Sequence, residues 1–167
     1  MTEPRAPKGQ RRITAILREL PDAREQLVVG MEGFGVDFDE VEFIAASRSR
    51  DARERNRVAV VERQYEVLLN WLHELAARGL AEAQRLDMAD KSPGSPWRRL
   101  AELGVISHES AERLQEAREI RDALAHAYPP ANWKILHEGV LVLVGELDDY
   151  VASYARWISE EGMLPSD

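Results

Sequence analysis

The chain contains no cysteine. That removes disulfides, thiolate nucleophiles and every zinc site built on cysteine. A basic excess is missing as well: 22 Lys and Arg stand against 30 Asp and Glu, a formal net charge of -8. A broad nucleic-acid face of positive sign is therefore excluded, although a small cleft lined by a few local arginines is not. Long apolar runs are also absent. The longest, GVLVLVG at residues 139–145, is far too short to cross a bilayer. No apolar stretch follows MTEPRAPKG at residues 1–9, so no secretory segment is expected. These absences predict a soluble, cytoplasmic protein, and 167 residues fit one domain.

What the chain does have is helical periodicity. Ile13, Ile16, Leu17 and Leu20 predict a helix from about residue 10 to Leu20, ended by Pro21. DARE at residues 22–25 has capping-box spacing and predicts a second, short helix reaching Val29. GMEGFGVDFD at residues 30–39 lacks the lysine and the helix register of a phosphate loop. It reads as a connection that packs Phe34 and Phe38 against a bundle, with Val41, Phe43, Ile44 and Ala45 starting another helical turn. Val58, Val61, Tyr65, Leu68, Leu69, Leu72, Leu75 and Ala76 mark a long helix from about residue 51 to 85, with a break at Gly79. Such a rod needs a partner of similar length. His73 lies off its stripe and reads as a lone surface histidine.

Ser95 and Pro96 suit the start of a short helix, with Trp97, Leu100 and Leu103 inward and Gly104 at its end. Ser107 is placed to cap the next helix, which turns Ala111, Leu114 and Ala117 inward. A final helix from about residue 133 to 159 follows from Leu136, Val140, Leu143, Val144, Leu147, Val151, Tyr154 and Ile158. Its β-branched centre resembles a strand, but no second strand of comparable quality exists to pair with it. The prediction is an all-α, four- to five-helix antiparallel up-and-down bundle. One domain covers residues 10–159, with a disordered tail at 1–9 and a frayed tail at 160–167.

The chemistry concentrates in RDALAHAY at residues 121–128. Arg121 occupies a stripe position that a core-facing helix usually gives to an apolar side chain. His126 falls in the last turn, and Tyr128 stands directly before Pro129. Arginine presents a planar fork to phosphate oxygens. Histidine titrates near neutrality and serves as acid or base. Those types suit phosphodiester chemistry, with an RNA 2′-hydroxyl as nucleophile and neither cofactor nor metal required. Five residues apart, Arg121 and His126 lie about 140° apart around a helix, so they do not share a face. A second copy in a symmetric dimer would let paired helix ends line one cleft. Read from the residues alone, a structural account also stands: a helix-end histidine that caps, an arginine that snorkels, a tyrosine with a wet hydroxyl. Likewise SRSRDARERNR at residues 47–57, with Arg53, Arg55 and Arg57, is either a solvated helix start with arginine–glutamate pairs or a surface that holds RNA.

The stretch at 121–128 resembles the arginine–four residues–histidine–any–tyrosine motif of the HepT-type toxins in the HEPN superfamily of small helical ribonucleases. The long helix over 58–78, the tryptophan-led helix with LAELGVI at 100–106, the motif helix and the closing helix follow that family's order. The resemblance covers about residues 50–158 well and 10–49 loosely. It implies a HEPN-like homodimer in which paired motifs form a metal-independent RNA-cleaving cleft, leaving a cyclic phosphate and a 5′-hydroxyl. By the match, Arg121 would hold the scissile phosphate and His126 would be the acid–base residue. Asp122 would support them, at a position where many members have asparagine. Tyr128 would be the tyrosine to which a cognate antitoxin, a minimal nucleotidyltransferase, transfers AMP. The alternative within the same fold is a non-catalytic dimeric partner that binds or regulates a nucleotidyltransferase.

Overall fold

The computed structural model describes residues 7–83, 95–126 and 132–164. Among these residues the chain forms six helices and no strand: α1 (Lys8–Glu32), α2 (Glu40–Ser47), α3 (Ala52–Glu82), α4 (Pro96–Glu102), α5 (His108–His126) and α6 (Trp133–Glu160). None of the described helices is long and apolar enough to cross a membrane.

The predicted break at Pro21 is not there. α1 runs through it as one helix of 25 residues, and the capping box at Asp22 is not used. Proline inside a helix costs about 3 kcal/mol through its missing N–H and its ring. Pro21 is exposed, however, and Ile13, Ile16, Leu20, Ala23 and Leu27 form one unbroken buried stripe. Each large apolar side chain buried there is worth about 1.5–3 kcal/mol, so the continuous stripe prevails. α1 lies antiparallel to α3. Arg12 donates through Nε and Nη2 to Glu74 at 3.0 Å, and near the other end Gln64 donates to Gln26 at 2.7 Å. Arg78 joins Glu74 at 2.6 Å. The hydrogen bond from Arg12, with help from Arg78, holds the Glu74 carboxyl below its usual range against the opposing effect of burial.

α2 and α3 start on aspartate caps. Asp39 accepts from the Glu42 N–H at 2.8 Å and Asp51 from the Arg53 N–H at 2.9 Å. α3 has 31 residues and is about 46 Å long. It does not break at Gly79, which is buried within it. A Cβ there would lie 2.5 Å from Tyr154 Oη and 2.7 Å from the Trp157 ring, so the position is a close helix approach. α4 buries Trp97, Leu100 and Ala101, whereas Leu103 is exposed. Leu103 lies about 240° around from Trp97, off the inward face, and Ala101 takes the place predicted for it.

α5 packs antiparallel to α3 and to α6, which leaves α3 and α6 parallel across the bundle. With α1 they form the up-and-down arrangement, and α2 and α4 fill its ends. Three buried tyrosines tie the helices through hydroxyls that donate to main-chain carbonyls. Tyr65 bonds Ala117 at 2.5 Å, Tyr150 bonds Leu72 at 3.0 Å and Tyr154 bonds Leu75 at 2.6 Å. Burial pushes all three phenols above their usual range. α6 also buries Glu146, whose two oxygens accept from Ser110 Oγ at 2.5 Å and Arg113 Nη1 at 2.9 Å. Gly162, at φ 68°, turns the chain so that its N–H meets Ser159 and that of Met163 meets Ile158, and Met163 is buried.

Phe34, Phe38 and Phe43 form an edge-to-face aromatic cluster, and Phe43 reaches Trp133 at the start of α6. Phe38 takes the left-handed conformation at φ 50°, a strained choice for a residue with a side chain. His137 of α6 compensates. Its Nε2 donates to the Phe38 carbonyl at 2.5 Å and its ring stacks on the Phe38 ring at 4.4 Å. This cluster closes the end of the bundle where α5 finishes and α6 begins.

Candidate active site at the end of the motif helix

Arg121 sits on α5 one turn beyond Ala117, the residue clamped by Tyr65. The clamp brings α3 and α5 together because α6 offers Gly139 beneath it. Arg121 therefore emerges into a small recess between three helices, lined by Glu62 and Glu66 of α3, Leu124 of α5 and Leu136 of α6. Its side chain is about one-third exposed. Nη1 donates to Asp122 Oδ1 at 2.9 Å, while Nε lies 3.7 Å from Glu66 Oε1. Nε is shut off from solvent and makes no hydrogen bond. Asp122 also faces Arg118, with Nε to Oδ2 at 3.9 Å. Glu62 has its pKa raised, chiefly by burial and then by the charge of Glu66.

His126 is exposed and is the last described residue of α5. It lies about 7.5 Å further along the helix axis than Arg121 and on a different face. The chain thus brings Arg121 and Asp122 together but does not set His126 beside them. Tyr128 falls outside the described residues. His73 is not a lone surface histidine. It is partly buried, with its ring edge-on to Trp97 at 5.4 Å. Burial, and then Arg118, lower its pKa to about 4, with Asp122 opposing. At neutral pH it is uncharged and adds no positive potential to the Arg118–Asp122 flank.

The arginines at the start of α3 stand at the same end of the bundle as His126. Arg53 is exposed, and Arg55 is exposed while donating to the Ser49 carbonyl at 2.8 Å. Arg57 is tied down: Nη1 donates to Glu54 at 2.6 Å, and its guanidinium rests over Phe34 at 4.6 Å. If this segment holds RNA, charge removal at Arg53 and Arg55 should weaken binding across sequences and reduce the slope of log K against log salt by about one to two. Titrations of Arg53→Gln/Arg55→Gln at several salt concentrations would check this, and an unchanged slope would dismiss the contact.

Residues 32–153, which span α2 to α5 and most of α6, match the model of the HepT-like ribonucleases. The chain belongs to the HepT-like ribonuclease family. This HepT-like match reaches further upstream than the resemblance at residues 50–158, taking in α2 and the aromatic connection before it. No curated protein and no solved structure matches the chain significantly.

Two neighbours of the site, Glu62 and Glu66, and two buried polar residues elsewhere carried no signal in the sequence. Glu62 and Glu66 are four apart on α3 and flank Tyr65, a spacing that puts both on one face. Which helix that face meets depends on packing. His137 and Glu146 sit on the buried side of α6, where the apolar period hid them.

Proposed function

We propose that this protein is a metal-independent endoribonuclease of a toxin–antitoxin system, acting as a homodimer on cellular RNA. The observation that supports it most is the membership in the HepT-like ribonucleases together with a half-buried arginine at the end of the motif helix. In this reading, His126 takes the proton of the 2′-hydroxyl, whose oxygen attacks the adjacent phosphorus. The bond from phosphorus to the 5′-oxygen breaks, and a second acid, His126 of the other copy, protonates the leaving oxygen. Arg121 offsets the charge that grows on the phosphoryl oxygens. The products are a 2′,3′-cyclic phosphate and a 5′-hydroxyl. Pairing two α5 ends in a dimer answers the angular separation of Arg121 and His126 within one subunit.

Restraint would come from a minimal nucleotidyltransferase that moves AMP from ATP to Tyr128. A bulky anion at the cleft mouth would repel an RNA backbone. Co-expression with such an enzyme should add AMP mass to the wild-type chain, none to Tyr128→Phe, and should silence cleavage of the modified sample alone. Intact-mass measurement beside a cleavage assay tests this; cleavage that persists at full modification would refute the restraint.

A second reading has one observation in its favour. Arg121 already has carboxylates on two sides, Asp122 and Glu66, as a purely structural arginine would. The chain would then be a non-catalytic dimeric partner of a nucleotidyltransferase. It would form the complex without cleaving RNA, whereas a purely structural bundle with Arg121 in an intramolecular ion pair would chiefly lose thermal stability in Arg121→Ala.

A further inference from the structure

Four ionisable side chains meet where α3 passes the motif, and the ribonuclease reading uses two of them. Arg121 and Asp122 come from α5, and Glu62 and Glu66 come from successive turns of α3. The contacts of Arg121 are unequal. Asp122 is hydrogen-bonded to Nη1 at 2.9 Å, whereas Glu66 stops 3.7 Å from Nε, beyond hydrogen-bond range. That Nε–H is enclosed and has no acceptor. A shift of under an ångström would close the gap, so the guanidinium is drawn toward α3 without being locked there. Glu62 and Glu66 repel one another at this spacing, and Arg121 is the cation that lines the same recess.

We propose that Glu66 is a positioning residue for RNA cleavage. It draws the Arg121 guanidinium toward α3 in the substrate-free subunit while Asp122 holds Nη1 from α5, and a phosphodiester must compete with both carboxylates for it. This rests on the ribonuclease reading above. The competition acts on binding, so it falls on KM and leaves kcat nearly unchanged. Glu66 is 46% exposed, and solvent screening limits the effect to about fivefold.

The test uses the full-length protein and two substitutions. Glu66→Gln removes the charge at constant shape, and Glu66→Asp keeps it. Cleavage gives kcat and KM, and RNA carrying 2′-O-methyl groups, which lacks the nucleophile, gives a separate affinity. Glu66→Gln should lower KM and the Kd for methylated RNA by up to about fivefold. Glu66→Asp should stay near wild type, and the gain should vanish in the Arg121→Ala background. A fall in kcat at constant KM, a gain that survives without Arg121, or no change in either constant would overturn the proposal. A wild-type protein that binds methylated RNA but cleaves no RNA would remove the ribonuclease reading, while the binding cycle would still decide the role of Glu66.

Discussion

Arg121→Ala should abolish most RNA cleavage, by about 100- to 1,000-fold in kcat, while the melting temperature hardly moves. The size follows from removing a charged donor aimed at a phosphate whose charge grows in the transition state. The small effect on stability follows from its surroundings. Asp122 and Glu66 are close to half exposed, and ion pairs of that kind contribute about 0–1 kcal/mol. The helices under Arg121 are held by other groups, namely the Tyr65 hydroxyl on Ala117 and the apolar contacts of Leu114 and Ala117. A structural role predicts the reverse, a clear loss of stability with unchanged activity. Circular dichroism melts run beside cleavage rates separate the two.

A large loss of stability should come from Gly139→Val, the close helix approach beneath Arg121. A Cβ at Gly139 would lie 2.7 Å from Tyr65 Oη and 3.1 Å from Ile120 Cγ2, and the tyrosine ring is too rigid to swing aside cheaply. The added volume would force α6 away from α3 and α5 and break the bond from Tyr65 to Ala117. Overpacking with loss of a buried hydrogen bond amounts to about 3 kcal/mol, or a fall of about 6–12 °C in melting temperature for a chain this size. Gly145 is a built-in comparison on the same helix. A Cβ there meets nothing within 4 Å, so Gly145→Val should leave the melting temperature close to wild type. Because Gly139 lies beneath the helix that carries Arg121, its substitution should also depress cleavage. Val favours a helix more than Gly does, so a melting temperature that falls equally for both variants would contradict the three-helix junction as the source of the loss.

These two glycines illustrate what a single chain reveals. The stripes on α3, α5 and α6 follow from periodicity, because burial of Val58, Leu68, Leu114 and Leu143 repeats at helical spacing. Asp51 and Ser107 could be read as starts from their residue type, and Ser107 does accept from the Ser110 N–H at 2.9 Å. Pro21 and Gly79 misled, since each is a breaker by local chemistry and each is overruled by tertiary contacts: the α1 stripe on α3 in one case, Tyr154 and Trp157 in the other. Arg121 and His126 stood out because their types suit phosphate chemistry, and Asp122 only through the resemblance of the motif. Glu66 did not, because its meaning comes from facing Arg121 across a helix interface. His137 was hidden for the same reason, as its partner Phe38 is 99 residues away.

The central claim is that Arg121 and His126 cleave RNA through the 2′-hydroxyl. Mass spectrometry of product ends, after unmodified wild-type protein and His126→Ala are each incubated with one defined RNA, tests it most directly. The account predicts 2′,3′-cyclic phosphate and 5′-hydroxyl ends from the wild type and a loss of these products with His126→Ala. Equal cleavage by both proteins, or 5′-phosphate ends from the wild type, would contradict it.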